Sequence, residues 1–221
     1  MMKTSKRIAQ SLLQSKAILL DPASTFTWAS GWKSPIYCDN RKTLSFPEIR
    51  SHIRDAYVEC IHENFELPEL IAGVATGAIA QGALVAEAMN LPFIYIRSSA
   101  KEHGTQSLIE GNYSPGQKVI VIEDLISTGG SSIKAVAALK EAGCEVIGMV
   151  ATFTYGFKVS EEAFAKINLK VKTLTNYEIM LKQAVENGYI EQNQLPLLQK
   201  WRLDPEAWTT DHDELSRNNP V

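Results

Sequence analysis

VIVIEDLISTGGSS, residues Val119 to Ser132, decides how this chain folds. Val119, Ile120, Val121 and Ile122 are four consecutive β-branched residues, which reads as a strand covered on both faces. Two carboxylates follow, Glu123 and Asp124, and then Ser127, Thr128, Gly129, Gly130, Ser131 and Ser132. The next segment, IKAVAALKEAG, has helical periodicity, and Gly143 suits the position just past a helix end. A carboxylate pair is therefore expected at the carboxyl end of a strand, beside a small-residue turn that opens onto a helix N-terminus. Free N–H groups and the helix dipole favour a phosphate at that turn. The acids, about one turn away, suit sugar hydroxyls rather than a second anion. A ligand that carries both a diol and a phosphate is a ribose 5-phosphate. The plainer reading is a strand–helix turn with an acidic cap, which does not require acids, hydroxyls and glycines in this order.

Outward from this stretch the chain repeats one theme. Residues 70–75 (LIAGVA) read as a strand, 77–90 as a helix and 92–97 as a strand. After a polar interval come a strand at 118–123, a helix at 131–142 and a strand at 144–153. Strands alternating with helices imply βαβ units and a mainly parallel sheet flanked by helices. In such sheets ligands bind beyond the carboxyl ends of the strands, where the acids and the turn lie. Residues 5–19 are expected as an amphipathic helix, and Pro47 opens a further helix. Residues 22–45 are rich in turn formers and aromatics. The C-terminal third yields a weaker strand at 169–174, helices near 160–167, 176–187 and 191–200, and a polar tail from Asp204. The whole reads as one domain over 1–221: an N-terminal hood to about residue 45, a core over 46–175, and C-terminal helices and tail over 176–221.

With 45% hydrophobic and 21% charged residues, the composition is that of an ordinary globular chain. A net charge of −3 supplies no global attraction for nucleic acid, so an anion site must be local. Cys38, Cys60 and Cys144 are few, odd in number and widely spaced, which fits a reducing cytoplasm and offers no C-x-x-C metal pattern. The basic N-terminus lacks a continuous apolar signal core, and no run approaches the ~18 apolar residues of a membrane span. A cytoplasmic protein without nucleic-acid or membrane partners is expected.

The interval RSSAKEHGTQSLIEGNYSPGQ, from Arg97 to Gln117, has no persuasive secondary-structure pattern, and loops of this length are usually lids or solvated surface. Its cationic groups, Arg97, Lys101 and His103, cluster at the start.

The run of apolar residues, acid pair and S-T-G-G-S resembles the phosphoribosyl pyrophosphate signature of type I phosphoribosyltransferases. Arg97, Lys101, His103 and Gly104 match, in order and spacing, the R-x-x-x-K-x-H-G loop of orotate phosphoribosyltransferases. FTWASGWKSPIYCDNR (26–41) resembles that family's hood segment, and GVATGAIAQG (73–82) resembles the loop that faces pyrophosphate. Well-known members carry lysines where Ala29, Gly77 and Ser98 stand here. An arginine that contacts the orotate carboxylate in some members lacks a clear counterpart near Phe153, with Lys33 able to supply charge from a shifted position.

The resemblance implies a type I phosphoribosyltransferase fold and a reaction of orotate with phosphoribosyl pyrophosphate, giving orotidine 5′-monophosphate and pyrophosphate. It implies that Glu123 and Asp124 hold the ribose hydroxyls, that Leu125 and Ile126 also contact phosphoribosyl pyrophosphate, and that Ser127, Thr128, Gly129, Gly130 and Ser131 form the 5′-phosphate cradle. Ser127 is also implied to contact orotate. Arg97 and Lys101 are implied as the catalytic cations on pyrophosphate, with His103 beside them. It further implies Mg²⁺ carried by substrate oxygens rather than by a protein cage, and a homodimer whose Arg97–Lys101 loop crosses the interface. Two alternatives remain. One is transfer to another base. The other is a non-catalytic phosphoribosyl pyrophosphate sensor, against which stand a basic content in residues 1–20 too small for a DNA-binding module and the presence of Lys101.

Overall fold

The computed structural model describes residues 2–22, 26–28, 31–99 and 108–208. In chain order the elements are α1 (Met2–Gln14), β1 (Ile18–Leu20), β2 (Phe26–Thr27), β3 (Lys33–Ser34), β4 (Ile36–Cys38), a 3₁₀ helix (Asn40–Ser45), α2 (Pro47–Asn64), β5 (Leu70–Val74), α3 (Ile79–Met89), β6 (Phe93–Ile96) and β7 (Ile109–Glu110). They continue with β8 (Lys118–Ile126), α4 (Gly130–Glu141), β9 (Glu145–Thr154), α5 (Lys158–Lys166), β10 (Val171–Asn176), α6 (Tyr177–Glu186), a 3₁₀ turn (Gln192–Gln194) and α7 (Leu195–Leu203).

The described residues form a six-stranded sheet in the order β10-β9-β8-β5-β6-β7. All its pairings are parallel except β6 with β7. From β5 the chain crosses through α3 to β6 on one side. From β8 it crosses through α4 and α5 to β9 and β10 on the other. Right-handed crossovers running in opposite directions must place their helices on opposite faces. Accordingly α1, α2, α3, α6 and α7 cover one core, and α4 and α5 the other. The central strands β5 and β8 are buried on both faces, as their unbroken apolar runs require. Progression reverses between them, so their carboxyl ends flank a topological switch point, where such sheets bind ligands.

Several expectations are corrected. The first helix ends at Gln14, because Lys16 turns into the left-handed region at φ 53 and Ile18–Leu20 then pairs with β4 as a strand. The polar interval is not structureless throughout, since β7 pairs with β6 through Tyr95↔Glu110 and Ile96↔Ile109. The helix expected at 191–200 is a 3₁₀ turn followed by α7, which runs on to Leu203. The tail does not begin at Asp204: residues 205–208 are helical and Trp208 is buried in the core. Apolar contact there outweighs the polar composition of the surrounding segment.

The N-terminal segment is held by aromatics. Trp28 packs on Tyr155 at 5.0 Å between ring centroids and on Trp201 at 5.6 Å, and its Nε1 donates to the Ile36 carbonyl at 3.0 Å. Trp32 meets Phe157 edge-on at 6.1 Å. Both tryptophans are partly buried and pack against the core. α7 closes the cluster through Trp201, which is fully buried and donates from Nε1 to the Lys33 carbonyl at 3.3 Å.

Candidate active site

β8 outruns its neighbour β5 and carries Glu123 and Asp124 to the switch point. Glu123 is 3% exposed. One of its oxygens, Oε2, accepts from Ser132 Oγ at 2.8 Å, and the other accepts from the Asp124 amide at 3.0 Å. Its main-chain carbonyl accepts from Tyr57 Oη at 2.6 Å, and Tyr57 also bonds the Thr152 hydroxyl at 2.7 Å. Burial, and then the neighbouring Asp124, push the Glu123 carboxyl well above the usual carboxylate range. Burial also raises the Asp124 carboxyl. Two adjacent, poorly hydrated carboxylates repel one another, so hydroxyl donors or a cation arriving at the cleft relieve a cost already present in the fold.

Asp124 points across the switch point. Its carboxylate lies against Gly77, in the turn between β5 and α3, so closely that a Cβ on Gly77 would collide with it. The peptide bond two residues earlier, Ala75–Thr76, is cis. The glycine thus lets the β5 and β8 loops touch through a carboxylate.

The turn after β8 is open. Leu125 and Ile126 send their side chains into opposite cores, so they offer a ligand only main chain. Ser127 is partly buried, Thr128, Gly130 and Ser131 are exposed, and Gly129 is buried. Gly129 is the N-cap of α4 with φ 83, a conformation that costs an L-residue about 1–2 kcal/mol. A Cβ there would also come within 3.0 Å of the Phe164 ring. The reward of this turn is that the first amides of α4, which have no partner within the helix, face outward at its positive end. Ser132 lies inside, where its hydroxyl is given to Glu123, so carboxylate and cradle are braced as one unit.

Arg97 leaves β6 with its amide bonded to the Leu108 carbonyl at 2.8 Å and its guanidinium paired with Glu110 at 3.5 Å. A cavity of about 350 Å³ joins Arg97 and Ser98 to Val74, Ala75 and Ser131, so the root of the loop, the β5 turn and the start of α4 share one space. Lys101, His103 and Ala29 lie outside the described residues. Lys33 Nζ donates to Thr27 Oγ1 at 3.1 Å within the β2–β3 hairpin. A second cavity, of about 640 Å³, lies between α5 and the ends of β9 and β10; Ile126 lines it but the acid pair does not, so it is separate from this chemistry.

Sequence reasoning missed the supports. Tyr57, Thr152 and Asn40, whose Nδ2 donates to the Asp124 carbonyl at 2.6 Å, reach β8 from distant parts of the chain. A hydroxyl on the otherwise apolar face of α2 was the one available hint for Tyr57; Asn40 gave none.

Comparison with known proteins agrees with this geometry. A family model described as phosphoribosyl transferase domain matches residues 43–179. The orotate phosphoribosyltransferase of Bacteroides fragilis is 58% identical over 210 residues, spanning 95% of this chain and 99% of that protein. The orotate phosphoribosyltransferase of Listeria innocua is 49% identical over 207 residues, spanning 94% and 99%. Among solved structures, the orotate phosphoribosyltransferase of Aeropyrum pernix superimposes with a TM-score of 0.73 at 26% identity, covering 83% of this chain and 99% of that one. The match takes in the hood, the switch point and the β8–α4 turn alike, and the chain belongs to the orotate phosphoribosyltransferases, within the type I phosphoribosyltransferase family.

Proposed function

We propose that the chain transfers ribose 5-phosphate from 5-phosphoribosyl 1-pyrophosphate to orotate, giving orotidine 5′-monophosphate and pyrophosphate in pyrimidine nucleotide biosynthesis. The observation that carries this reading is the unit built by β8 and α4: a buried carboxylate bonded through Ser132 to the first turn of a helix, whose leading amides have no partner within the helix and could take a phosphate. Relatives named for this reaction at 49–58% identity support orotate as the base.

In the reaction N1 of orotate bonds to C1′ while the C1′–O bond to pyrophosphate breaks. The electron pair departs with pyrophosphate, and the N1 proton ends on solvent or pyrophosphate. The ring gains positive character as this happens. The 5′-phosphate would sit in the Ser127–Ser131 turn, and Glu123 and Asp124 would accept from the 2′- and 3′-hydroxyls. Their negative charge beneath the ribose would also favour its cationic transition state. Ser127, at the edge of the cradle, would touch orotate. Arg97 and Lys101, with His103, would take up the charge of the leaving group.

The oxygen donors at the cleft fit a hard cation such as Mg²⁺. Asp124 would hold it together with pyrophosphate and ribose oxygens, since no group of three or more His, Cys, Asp or Glu side chains gathers into a metal cage among the described residues. When bound it offsets the charge that collects on pyrophosphate. We expect a homodimer in which the Arg97–Lys101 loop serves the partner's site. No helix among the described residues is long and apolar enough to cross a membrane, and a cytoplasmic location is expected.

The test is the loss of orotate absorbance, which should require both phosphoribosyl pyrophosphate and Mg²⁺ and should not be matched by uracil or purines. Turnover of adenine, hypoxanthine or uracil in place of orotate would overturn the assignment of the base.

A further inference from the structure

The 3₁₀ helix Asn40–Ser45 is fastened to the acid pair and carries a cation with it. Asn40 is 5% exposed, donates to the Asp124 carbonyl at 2.6 Å and accepts from Cys38 Sγ at 3.3 Å. With Asn40 fixed, the residue after it has little freedom. Asp39 caps this helix and grips Arg41 twice, accepting from its amide at 3.3 Å and from its Nε at 2.7 Å. The Arg41 side chain remains 56% exposed.

Arg41 is placed to act beyond its own element. Asn40, the residue before it, is tied to the Asp124 main chain, so the backbone that carries Arg41 is anchored at the acid pair. Yet the ion pair of Arg41 is with Asp39, not with Asp124. Asp124 in turn rests on Gly77. Arg41, Asp124 and the β5 turn are therefore consecutive around the switch point. The β5 turn brings no cation of its own, because position 77 has no side chain and Ala75, Thr76 and Ala78 are uncharged. Arg97 is engaged by Glu110. A guanidinium clamped on its Nε edge by a carboxylate is pre-oriented, and its planar fork suits phosphate oxygens.

We propose that Arg41 is a substrate-binding residue that holds the pyrophosphate group of phosphoribosyl pyrophosphate and takes up its charge as it leaves. Arg41 forms no covalent bond in this role; the electron pair of the broken C1′–O bond goes to pyrophosphate, and the guanidinium balances it. The assignment rests on the phosphoribosyl transfer reading given above.

Calorimetric titration of the full-length protein with magnesium pyrophosphate, and separately with orotidine 5′-monophosphate, tests it. Arg41→Gln should weaken magnesium pyrophosphate binding by about 10- to 100-fold while orotidine 5′-monophosphate affinity stays within about twofold. Arg41→Lys should fall between wild type and Arg41→Gln, because it keeps the charge and loses the fork. If Arg41→Gln does not fold, Arg41→Lys carries the same comparison, read as the ratio of the two affinities. Unchanged pyrophosphate binding, or a proportional loss for both ligands, would overturn the role of Arg41 and leave it as a structural partner of Asp39. Failure of the wild-type protein to bind either ligand would instead overturn the transfer reading itself.

Discussion

Glu123 carries the largest electrostatic tension in the site. Its carboxyl titrates well above the ordinary value of 4.5, first because it is buried and second because Asp124 is adjacent. The folded state therefore holds a proton that the unfolded chain has released once pH passes 4.5. Stability must fall as pH rises from there through the raised folded value, and the cost stays constant above it. Glu123→Gln removes that cost. The amide oxygen still accepts from the Asp124 N–H, and the amide nitrogen donates to Ser132 Oγ. The variant should be more stable than wild type in alkaline solution, and the advantage should shrink as pH falls toward 4.5. Thermal melts across that range check it, and an advantage independent of pH would contradict the assignment. The same substitution should lower activity about tenfold or more, since a charge-assisted acceptor for a ribose hydroxyl is lost. A carboxylate kept in place at a cost to stability is a group retained for its ligand.

At the scale of elements, legibility in the sequence followed locality. The β8–α4 unit could be read because strand, acids, turn and helix are contiguous; the Ser132–Glu123 bond that braces it lies within that stretch but was not itself apparent. Tyr57 to Glu123 and Asn40 to Asp124 join positions far apart, and no periodicity encodes which residues a fold will bring together. The C-terminal helices were placed by their periodicity, but what they pack against was not, for the same reason. Trp201 and Trp208 lie in a polar-looking stretch yet are buried in the same core, and Trp201 packs on aromatics contributed by the hood and by the exit of β9. α7 is consequently a structural strut rather than an appendage. Trp201→Ala should cost about 3–5 kcal/mol in chemical denaturation, since it empties a fully buried site shared by Trp28, Tyr155, Phe157 and Tyr177. A loss under about 1 kcal/mol would show that the hood holds without its clamp.

For the whole molecule, the question is whether one chain completes its own site. Arg97 points into a cavity beside the β5 turn and the start of α4, while Lys101 and His103 lie outside the described residues. A loop that crosses between subunits predicts complementation. Lys101→Ala and Asp124→Asn should each be nearly inactive alone. Mixed one to one under conditions of subunit exchange, half the dimers are hybrids with one intact site, so activity should recover to about a quarter of wild type. Steady-state assay of the mixture checks it; activity no greater than the average of the two variants would place Lys101 on its own chain's site.

The central claim is that one switch point holds ribose by its acids and phosphate by its turn. A crystal structure with orotidine 5′-monophosphate tests it most directly. The 5′-phosphate should lie on the amides of Ser127–Ser131 and the 2′- and 3′-hydroxyls on Glu123 and Asp124. A nucleotide bound with that turn vacant and its ribose away from both acids would contradict it.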